Sequence, residues 1–149
     1  MDLLKQKLWF DSPEFQKEFH CEEPLGAFLS PSGTAFRLWA PTAQSVTLHL
    51  YTEGNGVPAF ETLPLTQGEK GLWTYETPHN LDGIYYDFTV TVDGVSRQTA
   101  DPYAKACGVN GARSMVLDLS RTNPQDWDTD APPSPAPERI IYELHVKDF

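Results

Sequence analysis

The chain has 149 residues, and its 11 Lys and Arg against 21 Asp and Glu give a formal net charge of −10 at pH 7. That length can bury a core without metals or crosslinks, and the acidic balance argues against phosphate-rich partners, so neither nucleic acid nor an anionic membrane surface is expected. No apolar run approaches the ~20 residues of a membrane-spanning helix. The opening Met1-Asp2-Leu3-Leu4-Lys5-Gln6-Lys7 lacks a secretory signal core, so a cytoplasmic location is expected.

Residues 1–23 read as an irregular lead-in with one short helix. Asp11-Ser12-Pro13-Glu14 supplies a cap, an early proline and an early acid ahead of Phe15 and Phe19. The two phenylalanines share a helix face and are expected to pack the lead-in onto the neighbouring domain. From Leu25 the hydrophobic period becomes two. A short strand over 25–28 and a turn at Pro31-Ser32-Gly33 lead to a strand over 34–40, with Phe36 and Leu38 on one face and Arg37 and Trp39 on the other. Residues 45–51 alternate Val46, Leu48 and Leu50 inward with Thr47, His49 and Tyr51 outward. Gly54 and Gly56 mark a loop, and 59–65 reads as an edge strand limited by Pro64. The next strand, 71–77, carries Trp73 and Tyr75 on one face, expected to be the outward one. The clearest strand is 84–92, with Ile84, Tyr86, Phe88, Val90 and Val92 pointing one way and Tyr85, Asp87, Thr89 and Thr91 the other. Asp93-Gly94 predicts a tight hairpin turn into 95–99. Residues 101–113 form a long loop, and 114–119 a last strand with Met115, Leu117 and Leu119 inward.

This pattern predicts an all-β fold, an immunoglobulin-like two-sheet β-sandwich over 24–120. Residues 121–138 form a stiff linker rich in proline, including Pro132, Pro133, Pro135 and Pro137. The nearly continuous apolar start of 139–149 suits a strand buried on both faces, the kind found in parallel sheets. One such strand is not a domain, so it reads as the opening of a second one. The two cysteines, Cys21 and Cys107, read as reduced thiols, and His20, His49, His79 and His145 lack metal-ligand spacing, so no cofactor and no metal is expected.

Several strings stand in a recognisable order: Phe36-Arg37-Leu38-Trp39-Ala40-Pro41-Thr42-Ala43, Gly71-Leu72-Trp73, Leu81-Asp82-Gly83-Ile84-Tyr85-Tyr86, Asp101-Pro102-Tyr103-Ala104-Lys105-Ala106, Val109-Asn110-Gly111, and Ile140-Ile141-Tyr142-Glu143-Leu144-His145-Val146-Lys147-Asp148-Phe149. Together they resemble type I pullulanases, α-1,6-glucan debranching enzymes of glycoside hydrolase family 13. The resemblance implies that the sandwich is a family 48 carbohydrate-binding module and that 140–146 is the first strand of a catalytic (β/α)8 barrel. It also implies that the family's catalytic carboxylates belong to later strands, so no catalytic residue and no hydrolase activity are expected of this chain. Asp148, beside the expected strand end, reads as barrel framework.

Glucan sites pair aromatic rings with polar groups that hold hydroxyls. The outward positions make Trp73, Tyr75, Tyr85 and Asp87 the glucan-binding candidates, with His49 and Tyr51 as a second pair. In glucan-binding relatives of the module a tryptophan pair and a lysine form the sugar site, and no lysine stands beside Trp73 here. Trp39 reads as a packing or interdomain residue. Asp101, Tyr103, Asn110 and Arg113, with Lys105, make the 101–113 loop a docking segment. Two roles stay open: support of a catalytic barrel with contact to α-glucan, or a structural module with no sugar affinity. The apolar residues of 139–149 are expected to find a partner, including another copy of the chain.

Overall fold

The structure, a computed structural model, describes residues 3–132, 134, 138, 140 and 142–148. It divides into two compact units, Met1–Asp118 and Leu119–Phe149. The first unit holds two helices, α1 (Leu3–Phe10) and α2 (Pro13–Phe19), then ten strands: β1 (Gly26–Ser30), β2 (Gly33–Trp39), β3 (Ser45–Tyr51), β4 (Glu61–Pro64), β5 (Thr66–Gln67), β6 (Leu72–Thr77), β7 (Tyr85–Val92), β8 (Val95–Thr99), β9 (Ala106–Cys107) and β10 (Ser114–Met115).

The helix α2 starts where its cap signals place it. Ser12 Oγ accepts from the Phe15 amide at 3.2 Å, and Pro13 and Glu14 fill the first turn. The lead-in is more ordered than expected, because it holds α1 ahead of α2. Packing supports α1: the Trp9 ring meets Phe15 edge-on at 4.7 Å, and Phe10 meets it at 5.3 Å.

The strands form two antiparallel sheets, β1-β2-β6-β5 and β4-β3-β7-β10-β9, with β8 beside β7. The immunoglobulin-like sandwich expected from the alternation is therefore present. In the second sheet Val46 stands opposite Val90, Leu48 opposite Phe88 and Leu50 opposite Tyr86. In the first, Phe36 stands opposite Tyr75 and Leu38 opposite Trp73. These rows face each other across the core, where Phe36 meets Tyr86 edge-on with ring centroids 5.0 Å apart. Asp93 and Gly94 take φ of 50° and 74°, the paired positive values that a two-residue hairpin turn requires. Gln44 Oε1 accepts from the Gly94 amide at 2.8 Å.

Three expectations are corrected in this unit. The strand expected over 84–92 begins at Tyr85, with Ile84 held just outside it. The last strand, expected over 114–119 with Met115, Leu117 and Leu119 inward, is only Ser114–Met115. Its register is the opposite one: Ser114 and Val116 are fully buried, while Leu119 is 48% exposed. The pairing decides this, because the Val116 amide donates to Ile84 O at 2.9 Å and the Ser114 hydroxyl accepts from the Asp101 amide at 2.8 Å. Third, the 101–113 loop contains β9, which pairs with β10, and a 3-10 turn at Val109–Gly111.

The second unit contains short 3-10 turns at Leu119–Thr122, Trp127–Thr129 and Val146–Asp148. The described residues of 139–149 form no strand. A strand buried on both faces needs neighbouring strands to take its N–H and C=O groups, and neither sheet includes any described residue of this stretch. Ile140 is 98% exposed, and Tyr142 and Val146 are exposed too. Pro133, Pro135 and Pro137 of the expected linker, and Ile141 and Phe149 of the expected strand, lie outside the described residues.

Candidate functional site

The structure separates the glucan-binding candidates into two places. Trp73 and Tyr75 belong to the core row. Trp73 is 4% exposed, and its indole N–H donates to Ala40 O at 3.0 Å. Tyr75 is half-buried against the core, its ring 6.4 Å from Phe36. The outward placement of this pair is therefore corrected. The signal is present in the alternate row, where Thr74 and Glu76 are polar and leave the aromatics to face inward.

Tyr51, Tyr85 and Asp87 do lie on the outer face of the second sheet, but Tyr51 and Asp87 are not open there. The register sets Tyr51 opposite Tyr85, His49 opposite Asp87, and Thr89 opposite Gln98. Tyr51 Oη donates to Asp87 Oδ1 at 3.1 Å. Gln98 Nε2 donates to Tyr51 Oη at 2.9 Å and to Asp87 Oδ2 at 2.8 Å. Arg113 lies over the Tyr51 ring, its Cζ 3.4 Å from the centroid. Its two terminal nitrogens donate to Glu53 O at 2.8 Å and Val57 O at 2.7 Å. Tyr51 and Asp87 are left only 4% and 3% exposed. Burial and the hydrogen bond to Asp87 push the Tyr51 phenol above its ordinary value, so it keeps its proton. A ring with its face under a guanidinium and its hydroxyl tied to a carboxylate offers no platform to a sugar. Two loops close over this cluster through backbone: a Cβ on Gly108 would stand 2.7 Å from the Gly54 Cα. His49, the other outward candidate, has Nδ1 3.2 Å from Thr62 Oγ1 and Nε2 2.8 Å from Thr89 Oγ1.

Arg113, expected on a docking segment, ties that loop to the loop after β3 and to the Tyr51 ring. Asp101 is also used internally. It is 5% exposed, accepts from Tyr86 Oη at 2.7 Å, and accepts from the Tyr103 amide at 2.8 Å. Burial pushes its carboxyl up and, with Asp101 alongside, pushes the Tyr86 phenol far above the usual range. Trp39 ties α2 to the sandwich, donating from Nε1 to Phe19 O at 2.9 Å and to Lys70 O at 3.1 Å. Phe15 and Phe19 thus pack the lead-in on the domain, as their spacing predicts. Tyr103 and Asn110 stay exposed on the loop. Gln98 is the member of the outer cluster that sequence reasoning missed; its only signal is a place opposite Thr89 in the expected hairpin. Among the described residues no group of His, Cys, Asp and Glu is arranged to hold a metal ion.

Residues 24–104 match carbohydrate-binding module 48 (isoamylase N-terminal domain). The chain is 33% identical over 143 residues to pullulanase 1, chloroplastic, of Arabidopsis thaliana, an alignment covering 88% of this chain and 15% of that protein. It is 32% identical over 136 residues to the pullulanase of Bacillus subtilis, covering 91% of this chain and 18% of that one. It therefore spans under a fifth of the length of these curated relatives. Among solved structures, it superposes on the pullulanase from Paenibacillus barengoltzii in complex with maltohexaose and α-cyclodextrin with a TM-score of 0.79, at 37% identity, over 85% of this chain and 20% of that one. The 24–104 match covers more than half of the chain and takes in β1 to β8 of the two-sheet fold: the chain belongs to the carbohydrate-binding module 48 family.

Proposed function

We propose that this chain is an accessory module of a pullulanase-type enzyme that cleaves α-1,6 bonds in branched α-glucans, and that it supports the catalytic domain without chemistry of its own. One observation carries the supporting role: the Tyr51–Asp87–Gln98–Arg113 cluster spends its aromatic face and its carboxylate on contacts within the second sheet and its loops. The similarity to pullulanases favours the enzyme type. Glycoside hydrolysis needs two carboxyl groups flanking the scissile bond, roughly 5–10 Å apart. The two buried acids of the first unit, Asp87 and Asp101, both accept from tyrosine hydroxyls.

The test uses the natural reading frame that carries these residues. The expected result is release of reducing ends from pullulan by the full product, none by the 149-residue chain alone, and a lower melting temperature of the full product when residues 24–118 are deleted. Pullulan hydrolysis by the 149-residue chain, or a full product inert towards pullulan, would refute the reading.

A further inference from the structure

The loop after β3 and the loop that carries Arg113 each contain an asparagine followed by glycine, Asn55-Gly56 and Asn110-Gly111. Two aspartates also precede glycine, in Asp82-Gly83 and Asp93-Gly94. Such pairs share one chemistry: the glycine has no side chain to hinder its amide nitrogen from reaching the Cγ of the residue before it. The attack needs that nitrogen free of its proton, so a hydrogen bond donated by the amide opposes it. Three of the four amides are held in this way. Gly83 N donates to Val116 O at 2.8 Å, Gly94 N to Gln44 Oε1 at 2.8 Å, and Gly111 N to Gly108 O at 3.1 Å. The Gly56 amide and the Asn55 side chain have no hydrogen bond among the described residues, and both residues are exposed. The space around Gly56 is open, since a Cβ built there would meet nothing within 4 Å.

Asn55-Gly56 also sits inside the span that Arg113 holds. Arg113 donates to Glu53 O at 2.8 Å and to Val57 O at 2.7 Å, one carbonyl on each side of the pair. Gly54, just ahead of it, packs on Gly108 so closely that a Cβ would stand 2.9 Å from the Gly108 Cα. The separation of the two carbonyls is set by the backbone of 53–57, so any lengthening of that backbone falls on the Arg113 clasp.

We propose that Asn55 is the residue at which this chain deamidates, and that its isoaspartate product loosens the Arg113 clasp. The Gly56 amide nitrogen gives its proton to a solvent base and attacks Asn55 Cγ. The new C–N bond closes a succinimide, and the side-chain nitrogen leaves as ammonia, taking a proton from solvent. Water then adds to one imide carbonyl and breaks that carbonyl's bond to the Gly56 nitrogen. Opening at Cγ gives an ordinary aspartate. Opening at the backbone carbonyl gives isoaspartate, whose main chain runs through Cβ and Cγ and is longer by one carbon–carbon bond, about 1.5 Å. Both products add a negative charge to the loop, but only isoaspartate lengthens the path between Glu53 O and Val57 O.

The test is incubation of the 149-residue chain at mildly alkaline pH, followed by peptide mapping for the mass gain of an NH2-to-OH exchange. In the folded chain the Asn55 peptide is expected to convert about fivefold faster than the Asn110 peptide, the rate equivalent of one ordinary hydrogen bond on the Gly111 amide. In urea, where neither amide keeps a protein partner, the two rates are expected to converge. Faster conversion at Asn110 in the folded chain, or a ratio that is the same folded and in urea, would overturn the site. The clasp is tested on the isoaspartate fraction after chromatographic separation. Its melting temperature is expected to fall by about 5 °C, while Asn55→Asp, which carries the charge on an ordinary backbone, stays within about 1 °C of the parent. In an Arg113→Ala background the isoaspartate is expected to cause no further fall. An isoaspartate fraction that melts with the parent, or that falls equally in both backgrounds, would overturn the link to the clasp.

Discussion

Replacing Arg113 by Ala tests how much of this fold depends on one side chain that bridges two loops and a strand. Arg113 donates to two backbone carbonyls, Glu53 O and Val57 O, and covers the Tyr51 ring at 3.4 Å. Each hydrogen bond contributes about 1 kcal/mol net, and the guanidinium on a largely desolvated ring about 1–2 kcal/mol. The summed loss is about 3 kcal/mol, since truncation also leaves two carbonyls to find water. For a unit of the size of Met1–Asp118, that corresponds to a melting temperature lower by about 10 °C. The assay is thermal and urea unfolding of Arg113→Ala beside Arg113→Lys, which keeps a charge but not the fork of donors. The lysine variant is expected to recover less than half of the loss. A fall of under about 2 °C in Arg113→Ala would refute the reasoning and return Arg113 to the role of a loose docking residue.

Asp101 gives the stability of the domain a pH signature. Burial raises its carboxyl above the ordinary value, so its contribution is fully present below the unfolded pKa and is lost as pH rises through the folded one. The stability difference between the wild type and Asp101→Asn is therefore expected to shrink from about pH 3 to about pH 7, read as urea midpoints; a difference that grows with pH contradicts this. Trp73→Ala is expected to cost about 3–5 kcal/mol, because it empties a buried aromatic site. A loss under about 1 kcal/mol in chemical denaturation would place that ring outside the core. The exposed Ile140, Tyr142 and Val146 predict concentration-dependent self-association of the 149-residue chain, absent from a chain ending at Pro137. Equal monomer populations in sedimentation velocity would count against it.

Much of the fold is legible in the residue order. Alternation in 45–51 and 85–92 identifies the inward rows, Ser12 and Pro13 mark the start of α2, and Asp93-Gly94 marks a two-residue hairpin. The misreadings share a cause. Trp73, Tyr51 and Asp87 carry polar atoms that suit an outer surface, yet each is buried with its polar atoms paired to distant partners among Ala40, Asp87, Tyr51 and Gln98. Ser114 reverses the expected register of the last strand in the same way, through a hydroxyl that serves the amide of Asp101.

Periodicity, turn residues and caps are local properties of a chain, and so the all-β class, the inward rows of 45–51 and 85–92 and the start of α2 are set by the residue order alone. Which outward rows meet water is decided only by tertiary structure. The loops that bring Arg113 onto Tyr51 and Gly108 against Gly54 are held together by the packing of distant segments. A polar side chain looks the same in sequence whether it faces solvent or a partner, and burial free energy depends on which of the two the folded chain supplies.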